Sequence, residues 1–181
     1  MLPDPLHPAL VHFPIVFTVL LPLVILGALW LARRGPRRRT WAVPVILAAA
    51  LSASAWMAVQ TGEAQEEKVE SAVAEAPLES HEEAAGRFLL MSLGVVGITA
   101  LGLAGGAAGK VARGAALAGS VGLAVAGYQV GRSGGELVYQ HGAASVYAQT
   151  VVEAQTSVVE RASDGAPKRR EQRKRDEHDE D

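Results

Sequence analysis

The sequence HPALVHFP at residues 7–14 opens an apolar run that continues from Leu10 to Ala32 without Asp, Glu, Lys or Arg. As a helix with a rise of about 1.5 Å per residue, this run is about 34 Å long and crosses a hydrocarbon core of about 30 Å. Arginines follow it where a signal peptide would have small residues at a cleavage site, so we interpret it as a retained span. Two histidines therefore lie at the N-terminal end of a predicted membrane helix.

Three further stretches have the composition of membrane spans. Hydrophobic residues make up 49% of the 181 residues, and the charged residues are concentrated in three zones, 33–39, 63–87 and 153–181. The predicted spans cover about residues 10–32, 40–61, 87–106 and 114–131. The sequence thus predicts an all-α fold, an integral membrane four-helix bundle formed by residues 1–146.

The charges also predict an orientation. Five arginines lie between residues 33 and 39, and Lys110 and Arg113 link the last two spans, whereas the second loop is rich in glutamate. Because basic loops stay in the cytoplasm, we expect both termini outside a bacterial inner (cytoplasmic) membrane.

Extracytoplasmic amphipathic helices are expected outside the spans. Residues 63–76 combine good helix formers with acidic charge and predict a helix across the mouth of the bundle. The double glycine at 134–135 can break the fourth helix, and a second amphipathic helix is predicted at 136–162. The mixed-charge tail at 164–181 has the composition of a disordered segment, and its interleaved acids argue against nucleic-acid binding.

Four histidines fall on the predicted outer side: His7, His12, His81 and His141. The chain has no cysteine and no acid inside its spans, so these imidazoles are the available ligands for a soft metal or a haem. His7 and His12 are separated by about 140° around a helix, and one helix does not present both to one metal. We therefore predict a metal site of His12, His81 and His141, with His7 as an alternative ligand. Capping and hydrogen bonding remain the other use of each histidine.

Other chemistries have weaker support. Ser133 and Ser145 lie near His141 in sequence, but no nucleophile elbow is present, and no catalytic residue is predicted. Whether the protein is an enzyme stays open, with electron transfer or binding favoured over hydrolysis or group transfer.

Glycines recur at four-residue spacing in the last two spans, at 102 and 106, 105 and 109, and 127 and 131. This spacing lets helix backbones approach closely in lipid. Tight packing inside the bundle, a homodimer face and a groove for a flat cofactor are all compatible with it.

The motifs HPALVHFP at 7–14, Thr61-Gly62 at the end of span 2, the histidine opening span 3 and GGELVYQHG at 134–142 resemble the bacterial membrane proteins called domain of unknown function 2231. The resemblance covers about residues 5–146 and implies a four-helix integral membrane protein without established activity. Its histidine motifs suggest haem or metal binding.

Two functional hypotheses follow. The first is a b-type haem, or failing that a transition-metal ion, bound near the outer face by His12 with His81 or His141, transferring electrons to a redox partner protein. The second has no cofactor: a structural or assembly module in the lipid bilayer that binds a protein through its acidic loop.

Overall fold

The structure is a computed structural model that describes residues 6–33, 37–70, 73–145, 148, 152 and 155–162. The chain divides into two units, Met1–Ala143 and Ala144–Asp181. The described part of the first unit is built from helices alone: α1 (His7–Leu10), α2 (His12–Leu31), α3 (Arg37–Glu70), α4 (Glu75–Leu101) and α5 (Gly106–Tyr139). In the second unit residues 155–162 are helical, and the predicted disordered tail at 164–181 lies outside the described residues.

Four segments are long and apolar enough to cross a membrane: His7–Leu31, Arg38–Glu66, Glu75–Leu101 and Gly106–Tyr139. Large apolar side chains such as Ile46, Leu90 and Val125 point away from the bundle and are well exposed. A surface of this kind is stable against lipid and not against water. The predicted all-α membrane bundle is therefore confirmed.

The four long helices form a closed ring. α2 packs against α3 and α5, and α4 packs against the same two helices. Fully buried Leu21, Ile25, Leu51 and Leu123 lie in its core. The buried hydroxyls of Ser92, Thr99 and Ser120 donate to carbonyls of their own helices, as Ser92 does to the Leu89 carbonyl at 2.7 Å, whereas those of Thr18 and Ser52 have no partner among the described residues.

The charged residues lie at opposite ends of the ring. We call the end with Glu63, Glu66, Glu82 and Glu83 the acidic end, and the end with Arg38, Arg39, Lys110 and Arg113 the basic end. The helices are longer than a hydrocarbon core, since 34 residues of α3 span about 51 Å. The charged residues thus lie on projecting helix ends.

The second loop differs from its prediction. We expected a span ending near residue 61 and a separate helix at 63–76, but α3 continues to Glu70 as one helix. Residues 63–70 contain no proline and are mostly good helix formers, and His7 packs against Gly62. Nothing therefore terminates the helix at the membrane boundary.

The last two helices also begin or end beyond their predicted bounds. α4 starts at Glu75 instead of about 87, and α5 starts at Gly106 instead of about 114. α5 then runs through the double glycine to Tyr139, so a separate helix does not begin at 136. A glycine costs a helix only about 1 kcal/mol, which packing against a neighbour can offset. The turn comes later, at Gly142, with φ +74°.

Two glycines of the predicted four-residue spacing pack inside the bundle. A Cβ on Gly102 would overlap the Trp41 indole, and one on Gly127 would lie 3.2 Å from Phe88 and 3.3 Å from Thr18. Gly94, Gly97 and Gly122 instead lie on the outer surface with open space around them. The close approach of helices within the bundle therefore accounts for part of the glycine pattern.

Candidate functional site: a histidine pair at the acidic end

His7 is held by the far end of α3. Its Nδ1 lies 2.8 Å from the Ala58 carbonyl oxygen and 3.3 Å from Thr61 Oγ1. A carbonyl can only accept a hydrogen bond, so Nδ1 carries the proton and donates it. In a neutral imidazole the other nitrogen, Nε2, then carries a lone pair.

His7 also depends on a glycine. The ring lies against Gly62, where a Cβ would come 3.3 Å from His7 Cε1. The preceding residue, Thr61, donates its own hydroxyl to the Met57 carbonyl at 2.9 Å. A hydroxyl residue followed by glycine thus forms the seat of this imidazole.

His81 is held in the same way by α5. Its Nδ1 lies 2.9 Å from Ser133 Oγ, and that hydroxyl donates its hydrogen to the Val130 carbonyl at 3.0 Å. Because the serine proton is already engaged, the serine accepts from His81 Nδ1–H. The ring packs against Gly134, and Nε2 is again the unprotonated nitrogen.

The two imidazoles lie at the same end of the bundle, each held near the end of the second helix of its hairpin. They are half-buried and neighbour an acidic surface, in which Glu82 interacts electrostatically with Glu66 and Glu63. Nearby, Glu83 pairs with Arg87, and Arg132 pairs with Glu136 at 2.9 Å. The acidic end thus combines two half-buried imidazoles with a polar rim.

His12 and His141, which the sequence placed in the same site, are both exposed. Among the described residues, which include these four histidines, no three His, Asp or Glu side chains are grouped to hold a metal ion. The predicted site of His12, His81 and His141 is therefore not assembled. The reason is helical geometry: His12 lies five residues beyond His7, on a different face.

The seats of the two histidines were missed by the sequence analysis. Thr61 was noted only as the end of a span, and Ser133 only as a weak candidate nucleophile. A signal was present, because a hydroxyl residue directly before a glycine occurs near the end of both the second and the fourth membrane helix. This repetition could have identified Thr61 and Ser133 as partners for the histidines.

A second cluster closes the basic end. Trp41 is fully buried and donates its indole N–H to the Thr99 carbonyl at 2.8 Å. Arg113 lies over the Trp41 ring, 5.4 Å from its centre, and donates to the Gly102 carbonyl at 2.7 Å. These contacts join α3, α4 and α5 and satisfy the carbonyls at the end of α4. Their role is structural.

Fold and site together define a four-helix integral membrane protein with a histidine pair at the acidic end of the bundle. The chain belongs to the family described as predicted membrane protein (DUF2231), whose sequence profile matches residues 3–146. No curated protein and no solved structure matches the chain. The family resemblance stated from the motifs is thereby confirmed.

Proposed function

We propose that this protein binds a b-type haem at the acidic end of the bundle through His7 and His81 and transfers electrons there. The observation that carries the proposal is the hydrogen bond that holds Nδ1 of each ring. Metal-binding histidines usually donate their other ring N–H to a carbonyl, carboxylate or water, which orients the ring and raises its basicity. His7 makes this bond to Ala58 and His81 makes it to Ser133, so each Nε2 is prepared as a ligand.

The number of ligands favours a haem over a bare ion. A porphyrin iron already holds four nitrogens and takes one or two more ligands from the protein, whereas a structural or catalytic zinc takes three or four. Two neighbouring imidazoles match the first requirement. A transition-metal ion that completes its coordination with water is the weaker form of the same proposal.

The chain's own residues would position the group and tune its chemistry. Bound haem would supply a one-electron couple, and His7 and His81 would hold its iron through neutral imidazoles, whose basicity is one determinant of the potential. Ala58 and Ser133 hold the rings, and the glutamates of the acidic end place negative charge nearby, which favours the oxidised iron. The apolar spans below keep the site at the surface of the bundle.

The proposed location follows from the charges. Arg38, Arg39, Lys110 and Arg113 are at one end of the bundle, so the acidic end faces the extracytoplasmic side of an inner membrane, with both termini outside. A soluble redox protein could reach the site from that side. The proposed homodimer would use the open glycines, Gly94 and Gly97 on α4, because Gly102 and Gly127 are occupied within the bundle.

A second candidate function rests on the acidic surface alone. The interacting Glu66 and Glu82 and their neighbours Glu63 and Glu70 form an anionic face on the projecting helix ends. As a structural or assembly module, the protein would bind a basic partner there, and the histidines would serve only to lock α1 to α3 and α4 to α5.

A reduced-minus-oxidised absorption spectrum of the detergent-purified protein, with metal analysis of the same sample, tests the proposal. We expect the bands of a six-coordinate b-type haem, lost in both His7→Ala and His81→Ala. The exposed histidines provide matched controls, and His12→Ala and His141→Ala should keep the bands. A purified protein without haem or stoichiometric metal would overturn the proposal, and bands that survive His7→Ala but not His12→Ala would overturn the ligand assignment.

A further inference from the structure

Two helical hairpins of this chain, residues 6–70 and 75–142, repeat the same arrangement of polar residues. Each begins with a histidine that packs on a hydroxyl residue and a glycine near the end of its second helix. The two histidines, His7 and His81, are 74 residues apart. The hydroxyl residues, Thr61 and Ser133, are 72 residues apart. The glycines that follow them, Gly62 and Gly134, have the same spacing.

The buried positions repeat with the same two shifts. Each of the five buried residues of α2 has a buried residue 74 positions later in the second hairpin, as Thr18 has Ser92. Between α3 and α5 a shift of 72, which aligns Thr61 with Ser133, pairs three buried residues of α3 with buried residues of α5, as Leu51 has Leu123. The other four buried residues of α3 have half-buried counterparts. For α2, the shift that aligns all five buried residues is the one that aligns the histidines.

The contacts between the helices have the symmetry expected of two equivalent hairpins. Exchanging the hairpins converts the α2–α3 contact into the α4–α5 contact, and the α3–α4 contact into the α5–α2 contact, and all four occur in the ring. Both hairpins start at the acidic end. Hairpins that run in the same direction within one ring are related by a two-fold axis along the bundle.

The histidines locate that axis. His7 and His81 occupy equivalent positions at the same end of the ring, each against the hydroxyl residue and the glycine of its own hairpin. Two equivalent residues in a two-fold arrangement lie on either side of its axis.

We infer that this chain is a tandem duplication of one helical hairpin, and that the two-fold axis passes between His7 and His81, so that a metal centre on the axis takes one equivalent imidazole from each repeat. The placement of a metal centre rests on the proposed function, whereas the duplication and the axis do not. Thr61 and Ser133 become equivalent positioning residues that act through the imidazoles.

Cysteine cross-linking tests the axis without any cofactor. The chain has no native cysteine, so His7→Cys combined with His81→Cys gives a clean pair. A protease site placed between α3 and α4 allows the chain to be cut into two halves, which stay joined after cleavage only if the two cysteines are cross-linked. After treatment with a short bismaleimide and cleavage, we expect the two halves to stay joined. The matched control, His12→Cys with His81→Cys, should separate, and separation of the His7 and His81 pair would overturn the axis.

Substitution of the positioning residues tests the equivalence of the repeats. Thr61→Val and Ser133→Ala should reduce the bound cofactor per protein to a similar extent, within about two-fold of each other, because each leaves one imidazole without a hydroxyl partner. A loss confined to one repeat would overturn the equivalence. If the purified protein holds no cofactor, the proposed function fails, while the cross-linking result still decides the duplication.

Discussion

The ring of His81 occupies the space that a side chain on Gly134 would need. A Cβ built on Gly134 lies 3.0 Å from His81 Cε1, closer than ordinary van der Waals contact. α5 therefore needs glycine here to admit the imidazole that Ser133 holds.

Gly134→Ala should be less stable than Gly135→Ala by about 1–2 kcal/mol. Both substitutions gain the helix propensity of alanine, but only the first pushes against a packed ring and weakens its hydrogen bond to Ser133. Gly135 has open space around it and is the matched control. Unfolding in mixed micelles measures the difference, and equal stability of the two variants would contradict the close packing of His81.

Gly102→Ala should destabilise the bundle by about 1–3 kcal/mol, the usual cost of overpacking. Its Cβ would overlap the buried Trp41 indole and lie 2.9 Å from the Thr99 carbonyl oxygen. Gly97→Ala, in open space on α4, which ends one residue before Gly102, should be neutral or slightly stabilising. Thermal denaturation of both variants in detergent checks this, and a Gly102→Ala protein as stable as the control would count against the packing at the basic end.

Trp41→Phe should cost about 1–2 kcal/mol of unfolding free energy. The substitution keeps an aromatic ring beneath Arg113 but removes the indole N–H that the Thr99 carbonyl accepts, in a buried place. Trp56 is exposed on the outside of the same helix, so Trp56→Phe should change little. The same micelle unfolding assay compares the two. An equal effect would mean that the Trp41 hydrogen bond adds no measurable stability.

The orientation can be measured with single cysteines, because the chain has none. Ser80→Cys marks the acidic end and Lys110→Cys marks the basic end, and both residues are exposed. In intact cells whose outer membrane is permeabilised, an impermeant maleimide should label the first and not the second. The reverse labelling would invert the proposed topology.

The sequence predicts the class of fold correctly but does not predict the lengths of the helices. Long uncharged runs identify spans because lipid offers no partner for charge or free backbone groups. Helix ends that project into water have no such constraint, and residues 63–70 and 132–139 continue as helix because propensity and packing favour it. The double glycine was expected to interrupt α5, but the ring of His81 packs against Gly134.

For the site, the sequence identifies the four candidate histidines but does not predict which of them lie together. The sequence favours His12 over His7 as a ligand, because one helix does not present both to one metal. Its actual partners, Ala58 and Thr61, lie more than fifty positions away. Contacts of this kind depend on how the helices pack against one another, and the hydropathy of the sequence carries no information on that packing.

The two hairpins keep few identical residues at equivalent positions. At the acidic end both carry the histidine and the glycine, with Thr61 in one and Ser133 in the other, while at the basic end Trp41 is the counterpart of Arg113. Copies of a duplicated gene keep the residues that both copies need. On the inferred duplication, the shared histidine and glycine are therefore an evolutionary record of a requirement common to both repeats at the acidic end.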